Sequence, residues 1–182
     1  MSDRTNIAFI GARGAGKSKL SRKFGKRSGR VVLSTDSLVS YEAGGRTIAQ
    51  IVAAEGWPGF RDREFDLLAK IGDMRDIVVD CGGGILVEAT ADAPAGTELF
   101  SERKAAKLKE IAHVVYIYRD IDWLIGRVAE DSSRPDLGGD YRQVLARRLP
   151  WYEKIADTTL DMDGREIEYG LDALMRRFDP PA

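Results

Sequence analysis

Short apolar runs rich in β-branched and aromatic residues recur along the chain, separated by longer stretches with apolar residues at helical spacing. Residues 6–10, 31–33, 77–79 and 114–118 predict buried strands, and 158–160 a weaker fifth. Between them the spacing predicts helices over 17–27, 37–54, 60–71, 101–111, 121–130, 141–155 and 166–178. Strands alternating with crossover helices predict an α/β architecture, a mainly parallel five-stranded sheet with helices on both faces. Such sheets bind ligands beyond the carboxyl ends of their strands, so the residues after each strand carry the chemistry.

The 182 residues suit a single domain. Lys and Arg number 28 against 29 Asp and Glu, and neither sign forms a long block, so no nucleic-acid groove or membrane-surface helix is predicted. One histidine, His113, and one cysteine, Cys81, rule out an internal disulfide and the usual Cys/His zinc site. His113 lies within an apolar run and reads as a strand residue, which leaves proton transfer to a carboxylate. Residues 1–6 are polar and the apolar run after them is too short for a signal core or a membrane span. A cytoplasmic monomer is the expectation.

After the first predicted strand, residues 11–18 read Gly-Ala-Arg-Gly-Ala-Gly-Lys-Ser, a full match to G-x-x-x-x-G-K-[ST]. Gly11, Gly14, Ala15 and Gly16 form a loop whose backbone N–H groups wrap a phosphate, and the following helix adds its positive N-terminal end. Lys17 is placed to bridge the β- and γ-phosphates, Ser18 to bind Mg²⁺, and Lys19 follows on the helix. Asp80, ending the strand at 77–79, is either a second Mg²⁺ group or a turn-capping residue. No N-K-x-D guanine-reading element occurs, so ATP is the expected nucleotide.

Further motifs follow the other strands: Ser34-Thr35-Asp36, then Phe60-Arg61-Asp62-Arg63-Glu64 after a tryptophan-containing turn, then Gly82-Gly83-Gly84. An Arg134-Pro135 pair lies in a polar stretch, and Arg148-Leu149-Pro150-Trp151-Tyr152 comes near the end. In this order and spacing the chain resembles the shikimate kinase family of P-loop kinases. The resemblance implies one three-layer kinase domain over 1–182, with a substrate-binding helical region near 36–71 and a mobile lid near 131–140. It implies transfer of the ATP γ-phosphoryl group, with Mg²⁺, to a hydroxyl of shikimate. By the same resemblance Asp36 contacts the acceptor hydroxyls as base, while Arg61 and Arg148 hold the acceptor carboxylate. Gly82, Gly83 and Gly84 let backbone approach the substrate, Arg134 swings onto the transferring phosphate, and Arg127 and Arg165 lie on the nucleotide side.

These roles suit the residue types. A planar guanidinium can bond both oxygens of a carboxylate, and Glu64, three residues after Arg61, can orient it. Asp36 also stands where it could merely cap the following helix.

Two departures stand out. Ser34 replaces the first acidic residue of the family's D-x-D, which makes Asp80 a candidate substitute for the metal. Residues 88–97 lengthen the chain after the glycine triplet, as a surface loop or as part of the pocket mouth. A gluconate-kinase-like enzyme and a nucleotide-binding protein with little catalysis are the competing readings.

Overall fold

A computed structural model describes residues 5–90, 97–129 and 140–179. The first half of the chain forms β1 (Ile7–Ile10), α1 (Lys17–Ser28), β2 (Val31–Ser34), α2 (Thr35–Glu42), α3 (Ile48–Ile71) and β3 (Ile77–Asp80). A hairpin of β4 (Val87–Glu88) and β5 (Leu99–Phe100) leads to α4 (Glu102–Ile111) and β6 (His113–Tyr118). The remainder is α5 (Ile121–Ala129), α6 (Tyr141–Ile155), β7 (Thr158–Asp161) and α7 (Ile167–Phe178). The predicted lid near 131–140 lies outside the described residues, apart from Asp140, which caps α6 by accepting from the Arg142 N–H at 2.9 Å.

All five predicted strands form one parallel sheet in the order β2-β3-β1-β6-β7. Side chains of a strand alternate between faces, yet every residue of β1 and β3 is buried, so helices cover the sheet on both sides. Asn6 ties the strands together at their starting edge. Its amide donates to Met74 O and Ile111 O, and its oxygen accepts from the Ile77 N–H. The chain leaves β1 toward β2 on one side and enters β6 on the other, so the loops after β1 and β3 border the crevice where the strand order reverses. His113 is a strand residue as expected, its Nε2 2.9 Å from Thr158 Oγ1. No helix among the described residues is long and apolar enough to cross a membrane.

Two elements differ from the periodicity. The helix predicted over 37–54 is broken, because Gly44 and Gly45 take positive φ and close the last turn of α2 onto Tyr41 O and Ser40 O. The chain then restarts with a capping box, Thr47 and Gln50 each accepting from the other's N–H. On either side of the lengthened segment β4 and β5 pair, with Val87 opposite Phe100 and Glu88 opposite Leu99, while residues 91–96 lie outside the described residues.

Gly25 sets how closely α1 sits on the sheet. A Cβ there would lie 2.3 Å from Val32 Cγ2 and 2.9 Å from Arg30 O. Gly25→Ala is therefore expected to lower stability by about 1–3 kcal/mol through overpacking. Urea unfolding measures this, and a loss below about 0.5 kcal/mol, within the range of ordinary surface changes, would contradict the packing described.

Candidate active site

The loop after β1 is shaped by glycines. Gly11 lies so close to β6 that a Cβ would sit 2.7 Å from Ile117 O, while Gly14 and Gly16 have φ of 86° and 94°. Lys17 donates to Gly11 O and Ala12 O, both at 2.8 Å, so its ammonium is held at the loop's own rim. Gly14, Gly16, Lys17, Ser18 and Lys19 line a cavity of about 630 Å³, which Asp36 and Asp80 also border. Gly11 and Ala15 shape the loop without lining the cavity.

Asp80 is paired in register with Phe9 of β1 on one side and Ser34 of β2 on the other. It is buried, and its Oδ1 has no hydrogen-bond partner among the described residues. An orphaned carboxylate oxygen sharing a cavity with the Ser18 hydroxyl fits a hard divalent cation such as Mg²⁺.

The residues after β2 divide their labour. Ser34 caps α2, its hydroxyl accepting from the Ser37 N–H at 3.4 Å, so the capping role considered for Asp36 belongs to Ser34. Thr35 Oγ1 accepts from the Gly82 N–H at 2.9 Å, so that N–H is engaged within the protein. Asp36, in the first turn of α2, stands against the glycine triplet, where a Cβ on Gly82 would fall 2.2 Å from its Oδ1. Gly84 stands close to Arg61, whose Nη1 would be 2.9 Å from an added Cβ.

A second cavity, of about 400 Å³, has an apolar wall from α3, including Ile48, Val52, Trp57 and Phe60, and a polar end formed by Asp36, Arg61, Glu64 and Arg148. Three residues line both cavities: Arg13, Asp36 and Gly83. Arg61 is buried, stacked 5.0 Å from the Trp57 ring centre and 5.1 Å from that of Phe60. Its Nη1 donates to Glu64 at 2.9 Å and to Gly84 O at 3.2 Å. Lys104, fully buried, donates to the same Glu64 oxygen at 2.7 Å and to Val87 O at 2.6 Å. Burial pulls the Lys104 pKa down against the pull of the Glu64 carboxylate. Arg148 pairs with Glu98 and donates to Gly83 O at 3.2 Å, which also accepts from Tyr152 Oη at 2.5 Å.

A third cavity beside the phosphate loop is lined by Lys19, Arg119, Trp123, Arg127 and Arg165. Arg127 borders the phosphate cavity as well. Arg119 lies over the Trp123 ring at 4.4 Å and Arg165 over that of Tyr169 at 4.3 Å. Arg134 lies outside the described residues.

The predicted residues Lys17, Ser18, Asp36, Asp80, Arg61, Arg148 and the glycine triplet thus converge on two joined cavities. Sequence reading missed Arg13, which occupies a variable position of the loop motif, and Trp57, Glu98, Lys104 and Trp123. Cys81 is buried where it lines the first cavity, and burial pushes its thiol far above the usual range.

Glu64 is the only anion bonded to two buried cations here among the described residues. Glu64→Gln would leave Arg61 and Lys104 facing each other uncompensated and is expected to cost about 3–5 kcal/mol of stability. Lys104→Met, which keeps the Arg61–Glu64 pair, should cost distinctly less. Denaturant unfolding of both variants checks the order, and equal losses would contradict it.

Comparison with known proteins agrees with this architecture. The sequence model described as shikimate kinase matches residues 13–178. A shikimate kinase of Leptospira biflexa is 44% identical over 159 residues, covering 86% of either chain. One of Leptospira borgpetersenii is 38% identical over 180 residues, covering 97% of this chain and 99% of its own. Among solved structures, shikimate kinase from Acinetobacter baumannii in complex with shikimate superposes with a TM-score of 0.79 at 26% identity, covering 96% of this chain and 93% of that one. On a match of this extent, the chain belongs to the shikimate kinase family.

Proposed function

We propose that this protein is an ATP-dependent shikimate 3-kinase, a single catalytic domain whose lid near 131–140 carries Arg134. The observation that carries the reading is the junction of the two cavities at Asp36 and Arg13, with phosphate-binding groups on one side and two buried arginines on the other. The shikimate in the Acinetobacter relative supports a hydroxylated carboxylic acid as acceptor.

In this reading Arg61 and Arg148 receive the acceptor's carboxylate, and the apolar wall of α3 covers one face of its ring. That orientation turns a hydroxyl toward Asp36 and the phosphate loop. The hydroxyl oxygen attacks the γ-phosphorus of ATP, the bond from phosphorus to the β–γ bridging oxygen breaks, and ADP leaves with the electron pair. Asp36 accepts the hydroxyl proton. Lys17, Arg13 and Arg134 supply positive charge around the transferred group. Ser18 and Asp80 would hold Mg²⁺, which neutralises charge on the phosphate oxygens.

A coupled ADP-release assay with shikimate, quinate and gluconate tests the assignment. Turnover is expected with shikimate, and release no higher than without an acceptor would overturn it. Asp36→Asn should lower kcat by roughly 10²–10⁴-fold. Asp80→Asn should raise the Mg²⁺ concentration needed for half-maximal rate, and an unchanged Mg²⁺ titration would remove Asp80 from the metal site.

A further inference from the structure

The β4–β5 hairpin delivers one charged group to the acceptor site. Glu98, the residue immediately before β5, is largely buried, with 16% of its side chain exposed. Its Oε2 accepts from Arg148 Nε at 3.0 Å and its Oε1 accepts from Arg148 Nη2. This side-on pairing occupies one edge of the guanidinium. The end of the fork formed by Nη1 and Nη2 retains N–H bonds that this edge does not use. Arg148 lines the acceptor cavity and Glu98 does not, so the carboxylate grips the guanidinium from behind. Nη1 is steadied by Gly83 O at 3.2 Å.

Arg61 also has a carboxylate partner, but one that lines the cavity itself and bonds a fork-end nitrogen. Glu64 bonds its Nη1 and is itself fixed by Lys104. At the second arginine the backing anion is Glu98, with Arg147 Nη2 at 3.5 Å as its further cation. Burial works against ionising Glu98, but the Arg148 hydrogen bonds and charge outweigh it and hold its carboxyl below the usual range.

We propose that Glu98 is a positioning residue for acceptor recognition, holding Arg148 by one edge so that the opposite end of its fork meets the acceptor's carboxylate. The inference rests on the shikimate kinase reading above. Glu98 directly precedes Leu99, which pairs with Glu88, so the β4–β5 pairing sets where Glu98 stands. A guanidinium already fixed in place loses less side-chain freedom when the acceptor arrives. The opposite role, in which Glu98 competes with the acceptor for the fork, predicts tighter binding when Glu98 is neutralised.

Steady-state kinetics of the full-length protein separates these. Glu98→Gln is expected to raise KM for shikimate roughly tenfold, as for loss of one charge-assisted contact, with KM for ATP within about twofold of wild type. Glu98→Asp, which keeps the charge on a shorter arm, should give a smaller rise, and it carries the same criterion if Glu98→Gln does not fold. In an Arg148→Lys background, which has no fork to orient, neutralising Glu98 should change KM by less than about twofold. An unchanged or lowered KM in Glu98→Gln, or an undiminished rise in the Arg148→Lys background, would overturn the proposal. A wild-type protein that does not phosphorylate shikimate would instead overturn the functional reading on which it stands.

Discussion

Two guanidinium groups, Arg61 and Arg148, are buried beside an apolar wall, and in the proposed reading they must be neutralised and aimed before they can recognise an anion. Desolvating a charge costs several kcal/mol unless a partner offsets it. Here Glu64 lies between Arg61 and Lys104, and Glu98 lies behind Arg148. Each carboxylate comes from an element other than the glycine triplet, so the arginines are held while Gly83 and Gly84 line the cavity without side chains. Lys104 also donates to Val87 O, which links the hairpin, α3 and α4 to the same charge arrangement.

The sheet supplies the second half of the site. Parallel pairing sets Asp80 level with Ser34 and Phe9, so the ends of three strands meet at one height around the phosphate loop. This offers a physical account of the serine at position 34. Its hydroxyl caps α2, while a carboxylate stands directly across the register in β3, where its buried Oδ1 has no hydrogen-bond partner among the described residues. An acid at Asp80 can therefore serve the cavity from the neighbouring strand. Asp36, relieved of capping, sits between the two cavities with its carboxylate against Gly82.

The strands and the phosphate loop were legible because each is a local pattern: an apolar run of four or five residues, or an eight-residue motif. Asp36, Arg61 and Arg148 were legible only through the combination of motifs in order. What could not be read depends on distant partners. Lys104 meets Glu64 across 40 residues and Glu98 meets Arg148 across 50, and no spacing along the chain encodes either encounter. The break between α2 and α3 was hidden for another reason. Apolar positions continue at helical spacing through residues 37–54, while the two adjacent glycines that end α2 leave that periodicity intact. Arg13 was passed over because the loop motif places no demand on its position.

In the proposed reading the acceptor cavity is a clamp for one carboxylate, built from two pre-aimed guanidinium groups. Its most direct test is calorimetric titration of the wild-type protein, in the presence of a non-hydrolysable ATP analogue, with shikimate and with its neutral carboxamide. Loss of two charge-assisted contacts predicts weaker binding of the carboxamide by roughly 100-fold or more. Equal affinity for the two would contradict the clamp, because a neutral head group cannot satisfy Arg61 and Arg148 together.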